Sequence, residues 1–118
     1  MRKLQVMNNP YLGLEYSAII EIDTGKVFYK TNTVDGERKD YESFFIIRDY
    51  DISNIERIIS LTDGWSLSYG GNQGVTIDGY YWSVKITSDT IVEYHGNNGK
   101  PAQFDVFITM LEVLIIRP

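Results

Sequence analysis

Val75-Thr76-Ile77-Asp78-Gly79-Tyr80-Tyr81-Trp82-Ser83-Val84-Lys85-Ile86 decides the fold. Apolar residues alternate with polar ones on both sides of Asp78-Gly79, the dipeptide that accepts positive φ at both centres of a two-residue hairpin turn. With Ile77 opposite Tyr80, one side collects Val75, Ile77, Tyr80, Trp82, Val84 and Ile86, and the other collects Thr76, Tyr81, Ser83 and Lys85. The first side is the core side. In the next strand, a three-residue loop at Thr87-Ser88-Asp89 pairs Trp82 with Tyr94 and Val84 with Val92. A four-residue loop would instead bring Glu93 into the core, and an unpaired buried carboxylate is costly. The outer face then carries Tyr81, Ser83, Lys85, Ile91, Glu93 and His95.

Downstream, the loop Gly96-Asn97-Asn98-Gly99-Lys100-Pro101 leads into a helix predicted over about 101–116, with Pro101 at a first-turn position where a missing N–H costs nothing. Its polar row is Gln103, Asp105, Thr109 and Glu112, and apolar residues occupy most of the remaining circumference. Such a helix lies across a sheet and has a second face left for another element, a partner or a homodimer contact.

Upstream, Tyr16 to Ile22 alternates as a strand, Asp23-Thr24-Gly25-Lys26 turns the chain, and Val27 to Thr33 returns. Tyr41 to Ile47 reads as a further strand. Asp51 as N-cap, or the box Ser53-x-x-Glu56, starts a short helix over about 52–62, which Asp63-Gly64 stops. Trp65, Leu67 and Tyr69 alternate towards the loop Gly70-Gly71-Asn72-Gln73-Gly74. The fold class predicted is α+β, an antiparallel sheet of about six strands with two helices on it. Residues 1–13, with Asn9-Pro10 and Gly13, read as an irregular arm before a single domain over 14–118.

Composition narrows the chemistry. The 118 residues suffice for one core. No cysteine is present, which removes disulfides, thiolate metal sites and a thiol nucleophile. No apolar run reaches the roughly 20 residues that span a bilayer, and the first ten residues lack a signal-peptide core, so the expectation is a cytoplasmic protein without membrane contact. The net charge of −5 disfavours direct nucleic-acid binding and suits a partner with a basic surface. The acidic excess concentrates between Asp35 and Asp63, where eight acids face Arg38, Lys39, Arg48 and Arg57.

The elements Asp78-Gly79-x-x-Trp82-x-Val84-x-Ile86, then Gly96-x-Asn98-x-x-Pro101-x-x-Phe104, then an apolar terminal helix, resemble a group of small uncharacterised bacterial α+β proteins. In that group a DG-x-x-W strand, a further strand and a G-x-N-x-x-P helix entry close the domain. Similar small acidic folds occur among toxin-immunity proteins and phage-encoded inhibitors. The resemblance covers Asp78 to Leu114, implies the α+β fold and carries over no functional residue.

Candidate sites follow from these readings. His95 is the only histidine, and with Glu93 on the same strand face it has the residue types of an acid/base pair, but no nucleophile or metal-ligand spacing accompanies it, so no catalytic residue, metal or cofactor is expected. The chain reads as a non-catalytic protein-binding inhibitor of a bacterial toxin or a host-defence nuclease. Its contact residues are Asp35, Glu37, Asp40, Glu42, Asp49, Tyr50 and Asp51. The alternative is a small-ligand or carbohydrate-binding accessory domain, with Trp65, Tyr69, Tyr81, Glu93 and His95 as its surface.

Overall fold

The computed structural model describes residues 2–9, 15–34, 37–46, 49–70 and 80–115, the side chains of 31–46 and 49–52 excepted. The chain forms an α+β fold. Its strands are β1 (Lys3–Asn9), β2 (Tyr16–Glu21), β3 (Lys26–Val34), β4 (Glu37–Ile46), β5 (Ser68–Gly70), β6 (Tyr81–Thr87) and β7 (Ile91–Asn97). The helices are α1 (Asp49–Ser60) and α2 (Phe104–Ile115). The strands form one sheet in the order β4-β3-β2-β1-β6-β7-β5, antiparallel throughout except for the β5–β7 pair. Seven strands therefore stand among the described residues, where about six were expected for the chain.

The additional strand is β1, and it overturns the reading of residues 1–13 as an irregular arm. Leu4, Val6 and Asn8 alternate with Lys3, Gln5 and Met7, and β1 pairs with both β2 and β6 at the middle of the sheet. Only two of its inward residues are apolar, and the third, Asn8, is buried with Oδ1 unpartnered. Such a short pattern gives almost no period-two signal, and the pairing that stabilises it comes from distant residues.

Inward residues of the sheet, among them Leu4, Val6, Tyr16, Ala18, Ile20, Val27, Trp82 and Val84, join Ile55 and Ile58 of α1 and Phe104, Phe107, Leu111, Leu114 and Ile115 of α2 in one core. Both helices thus pack on the same face. Opposite lies a face on which Met7, Phe28, Tyr81 and Ile91 are exposed. Antiparallel sheets tolerate this one-sided arrangement because alternate residues can be polar.

The β6–β7 register differs from expectation by two residues. Val84 faces Tyr94 and Trp82 faces Gly96, rather than Trp82 facing Tyr94 and Val84 facing Val92. The loop does have three residues, but they are Ser88-Asp89-Thr90, closed by the pair Thr87 and Ile91. A shift of two preserves the faces. Its cause is the indole of Trp82, which fills the space above Gly96: a Cβ there would lie 2.1 Å from Trp82 Nε1 and 2.3 Å from the Gly99 carbonyl oxygen. Only glycine can stand opposite this tryptophan. The Ile77-Asp78-Gly79-Tyr80 turn lies, apart from Tyr80, outside the described residues.

Both helix starts move. Helix α1 begins at Asp49, so Asp51 and Ser53 lie inside it rather than acting as N-cap. Glu56, the predicted partner in the capping box, instead forms an ion pair with Arg2. At its other end the chain tightens through Leu61 N–H to Ile58 and Thr62 N–H to Ile59, and Gly64, with φ of 85°, ends the turn as anticipated. Helix α2 starts at Phe104, after a turn in which Phe104 N–H donates to the Pro101 carbonyl. Lys100 Nζ lies 2.8 Å from Asp105 Oδ1 at this entry.

Candidate binding surfaces

The backbone divides the acidic run between one edge of the sheet and the start of α1. Glu37, Asp40 and Glu42 lie on β4, the outermost strand at one edge of the sheet, and Asp49, Tyr50 and Asp51 form the first turn of α1. Asp35 lies outside the described residues. An edge strand leaves a row of backbone N–H and C=O groups without a ladder partner, and charged residues along it discourage indiscriminate pairing with other chains.

The two helices extend this acidity. Helix α1 carries Asp49, Asp51 and Glu56 against Arg57 alone, and α2 carries Asp105 and Glu112 with no basic residue. Next to α1, Arg2 bridges Glu56 and Asp23. Its backbone N–H, 2.9 Å from Asp23 Oδ2, and its guanidinium hold the Asp23 carboxyl below the usual carboxylate range. The Arg2 guanidinium is pushed up in turn, chiefly by its hydrogen bond to Glu56.

The open face of the sheet carries charges of both signs. Register places Lys26, Glu21 and Lys3 in one cross-strand row, and Gln5, Lys85 and Glu93 in the next. Across β1, β2, β3, β6 and β7 this face bears Lys3, Lys26, Lys30 and Lys85 against Glu21 and Glu93, and the β3–β4 register adds Glu42 beside Lys30 and Glu37 beside Val34. In the row beyond, Ser17 and Ser83 flank Met7, and their short side chains leave a trough of about 390 Å³ lined by Gln5, Met7, Ser17, Ser83, Lys85 and Glu93.

The residues expected to form one ligand surface are divided by the sheet. Tyr81, Glu93 and His95 are exposed on the open face. Trp65 and Tyr69 pack on the opposite side against the core, where Trp65 lies 5.8 Å from Trp82, 5.5 Å from Tyr94 and 5.4 Å from Phe107 between ring centroids. Trp65 and Tyr69 share the inward side, but Leu67, which has the same parity, is exposed because regular strand geometry begins only at Ser68. His95 and Glu93 share no hydrogen bond or ion pair among the described residues, and no group of three or more His, Asp or Glu side chains there is placed to hold a metal ion. No helix of the described residues is long and apolar enough to cross a membrane.

Two features had little sequence signal. One is a polar cluster under α2, where Tyr16 OH donates to Glu112 Oε2 at 3.0 Å and stacks at 5.6 Å on Tyr29. Burial, followed by the nearby Glu112 charge, pushes the Tyr16 phenol well up, and burial does the same to Tyr29 and Tyr80. The other is a groove of about 200 Å³ between the helices, lined by Asn54, Ile58, Met110, Val113 and Leu114. The polar row of α2 hinted at the first, since Glu112 is its most inward acid. The groove depends on how α1 meets α2, which neither helix encodes locally.

Comparison with known proteins found no family model and no curated sequence that matches this chain. The functional reading therefore stands on the residues themselves.

Proposed function

We propose that this chain is a non-catalytic protein-binding inhibitor, acting in the cytoplasm, that neutralises a basic partner such as a bacterial toxin or a host-defence nuclease. The observation that carries this reading is the placement of Glu37, Asp40 and Glu42 on edge strand β4 and of Asp49 and Asp51 in the first turn of the helix that follows it. A partner covering these acids would be steered by charge, which mainly speeds encounter and selects against acidic competitors. No reacting group is needed for inhibition of this type. Glu42→Lys and Asp49→Lys together should slow association with the captured partner by roughly tenfold or more at low salt and flatten its ionic-strength dependence. Stopped-flow or surface-based kinetics would read the change, and an unaltered rate constant for the double variant would remove these acids from the interface.

The trough on the open sheet face favours a second reading, in which it holds a small polar ligand or a sugar between Gln5, Ser17, Ser83, Lys85 and Glu93 with Tyr81 beside it. Tryptophan fluorescence is the wrong probe for that reading, because Trp82 is buried and Trp65 packs within the aromatic core. Glycan and metabolite screening by protein NMR should instead shift amides of β1 and β6, and Tyr81→Ala should weaken the response. Shifts confined to other elements would count against the trough.

A further inference from the structure

The trough on the open sheet face is built around two opposite charges that do not engage each other. Lys85 and Glu93 stand directly across from one another on β6 and β7, where opposite charges ordinarily pair, and both line the trough. Yet among the described residues neither makes an ion pair or a side-chain hydrogen bond. Gln5, which faces Lys85 from β1, and Ser17 and Ser83 in the next row also keep their side-chain donors and acceptors unengaged there. The other end of the trough is apolar. The row that holds Glu93, Lys85 and Gln5 continues into Ile19, which lines the trough, and then into Phe28, while Met7, 39% exposed, lies alongside. One end thus offers an ammonium and a carboxylate side by side, and the other offers hydrocarbon.

We propose that the trough binds a free α-amino acid with a large apolar side chain, its carboxylate on Lys85, its ammonium on Glu93 and its side chain along Met7 towards Ile19. This inference rests on the small-ligand reading of the trough and adds the class of ligand. Charge selects the occupant. A simple anion is repelled by Glu93 and a simple cation by Lys85, and a neutral sugar leaves both charges uncompensated, so a ligand that carries both signs is the one that matches both. Spacing narrows the class further. Directly opposite residues on neighbouring antiparallel strands stand about 5 Å apart, so the two ligand charges must be close neighbours, as they are on a single α-carbon. The termini of an extended peptide move apart by about 3.3–3.6 Å with each added residue and lose this match. The trough volume of about 390 Å³ lies within the roughly 300–1,000 Å³ of small-molecule sites.

The test titrates the whole isotope-labelled chain by NMR with L-phenylalanine and L-leucine, with phenylpropionate, which lacks the ammonium, with phenethylamine, which lacks the carboxylate, with phenylalanyl-phenylalanine and with neutral monosaccharides. Phenylalanine or leucine should shift the amides of Gln5, Ser17, Ser83 and Lys85, and each single-charge analogue should bind roughly tenfold more weakly. Lys85→Gln should weaken amino-acid binding to a similar extent, with its folding checked by circular dichroism. Exchange of the two charges, Lys85→Glu with Glu93→Lys, should bind better than Lys85→Gln, because a zwitterion fits the reversed pair the other way round. Equal binding of phenylpropionate or of the dipeptide, an unchanged affinity in Lys85→Gln, or an exchanged variant no better than Lys85→Gln overturns the assignment. Shifts at these amides from monosaccharides but not from either amino acid overturn it as well, and leave the small-ligand reading standing. No shift in β1 or β6 with any of these compounds removes that reading too.

Discussion

Trp82→Ala is expected to cost about 3–5 kcal/mol, enough to leave the domain largely unfolded if its total stability lies in the ordinary range of about 5–15 kcal/mol or below. Trp82 is 1% exposed and is the largest fully buried side chain. Its ring lies 4.5 Å from Phe104 and 5.8 Å from Trp65 between centroids, and its Nε1–H donates to the Gly99 carbonyl at 2.8 Å. One residue thus ties β6 to α2, to the segment after α1 and to the loop that starts α2. Alanine would leave a cavity and strip the Gly99 carbonyl of its donor, and the space above Gly96 would be empty as well. Urea denaturation followed by far-ultraviolet circular dichroism would measure the loss. A midpoint shift worth less than about 1 kcal/mol would mean that the aromatic cluster collapses around the cavity and that its packing is not what holds the layers together.

The second large effect is alkaline unfolding. Tyr16, Tyr29 and Tyr80 all have their phenol pKa raised in the folded state, with desolvation as the largest cause in each case, and for Tyr16 the carboxylate that accepts its O–H adds to it. The sign follows from linkage. A raised folded pKa means the native state keeps protons that the unfolded chain releases near pH 10, so the stabilisation is complete below about pH 10 and declines as pH rises from there towards the folded values. Tyr16, the most deeply buried of the three, removes at most about 1.4 kcal/mol per pH unit in that window, and Tyr29 and Tyr80, more open to solvent, add less. Stability measured by urea midpoint should be flat from pH 8 to 9.5 and fall steeply above 10, while Tyr16→Phe should lower the whole curve, because Glu112 loses its donor, but make its alkaline limb shallower. An alkaline limb of unchanged slope in Tyr16→Phe would show that this phenol ionises freely in the native state.

Much of the architecture is legible in residue order, for a physical reason. Period-two alternation from Tyr16 to Ile22 and from Tyr80 to Ile86, and the apolar stripes of both helices, depend only on which side of a local element each residue occupies. Strand β1 escaped because a buried Asn8 and only two inward apolar residues give a pattern too short to stand alone, and its stability comes from the partners on both sides. Register in β6–β7 was decided by a contact no local rule contains, the indole of Trp82 lying over Gly96. For the candidate sites, sequence grouped Trp65 and Tyr69 with Tyr81, Glu93 and His95, although the sheet separates them.

By itself, then, the sequence determined the class of the fold, the two helices of the described residues, the absence of thiol chemistry and the overall negative charge, because these follow from composition and from local periodicity. Tertiary structure alone decided that β1 runs through the middle of the sheet, that β5 joins β7 in parallel, and that both helices share one face. Those outcomes arise from pairings between residues far apart in the chain, where the free energy of burial and hydrogen bonding is shared between partners and no single segment carries enough of it to announce the arrangement.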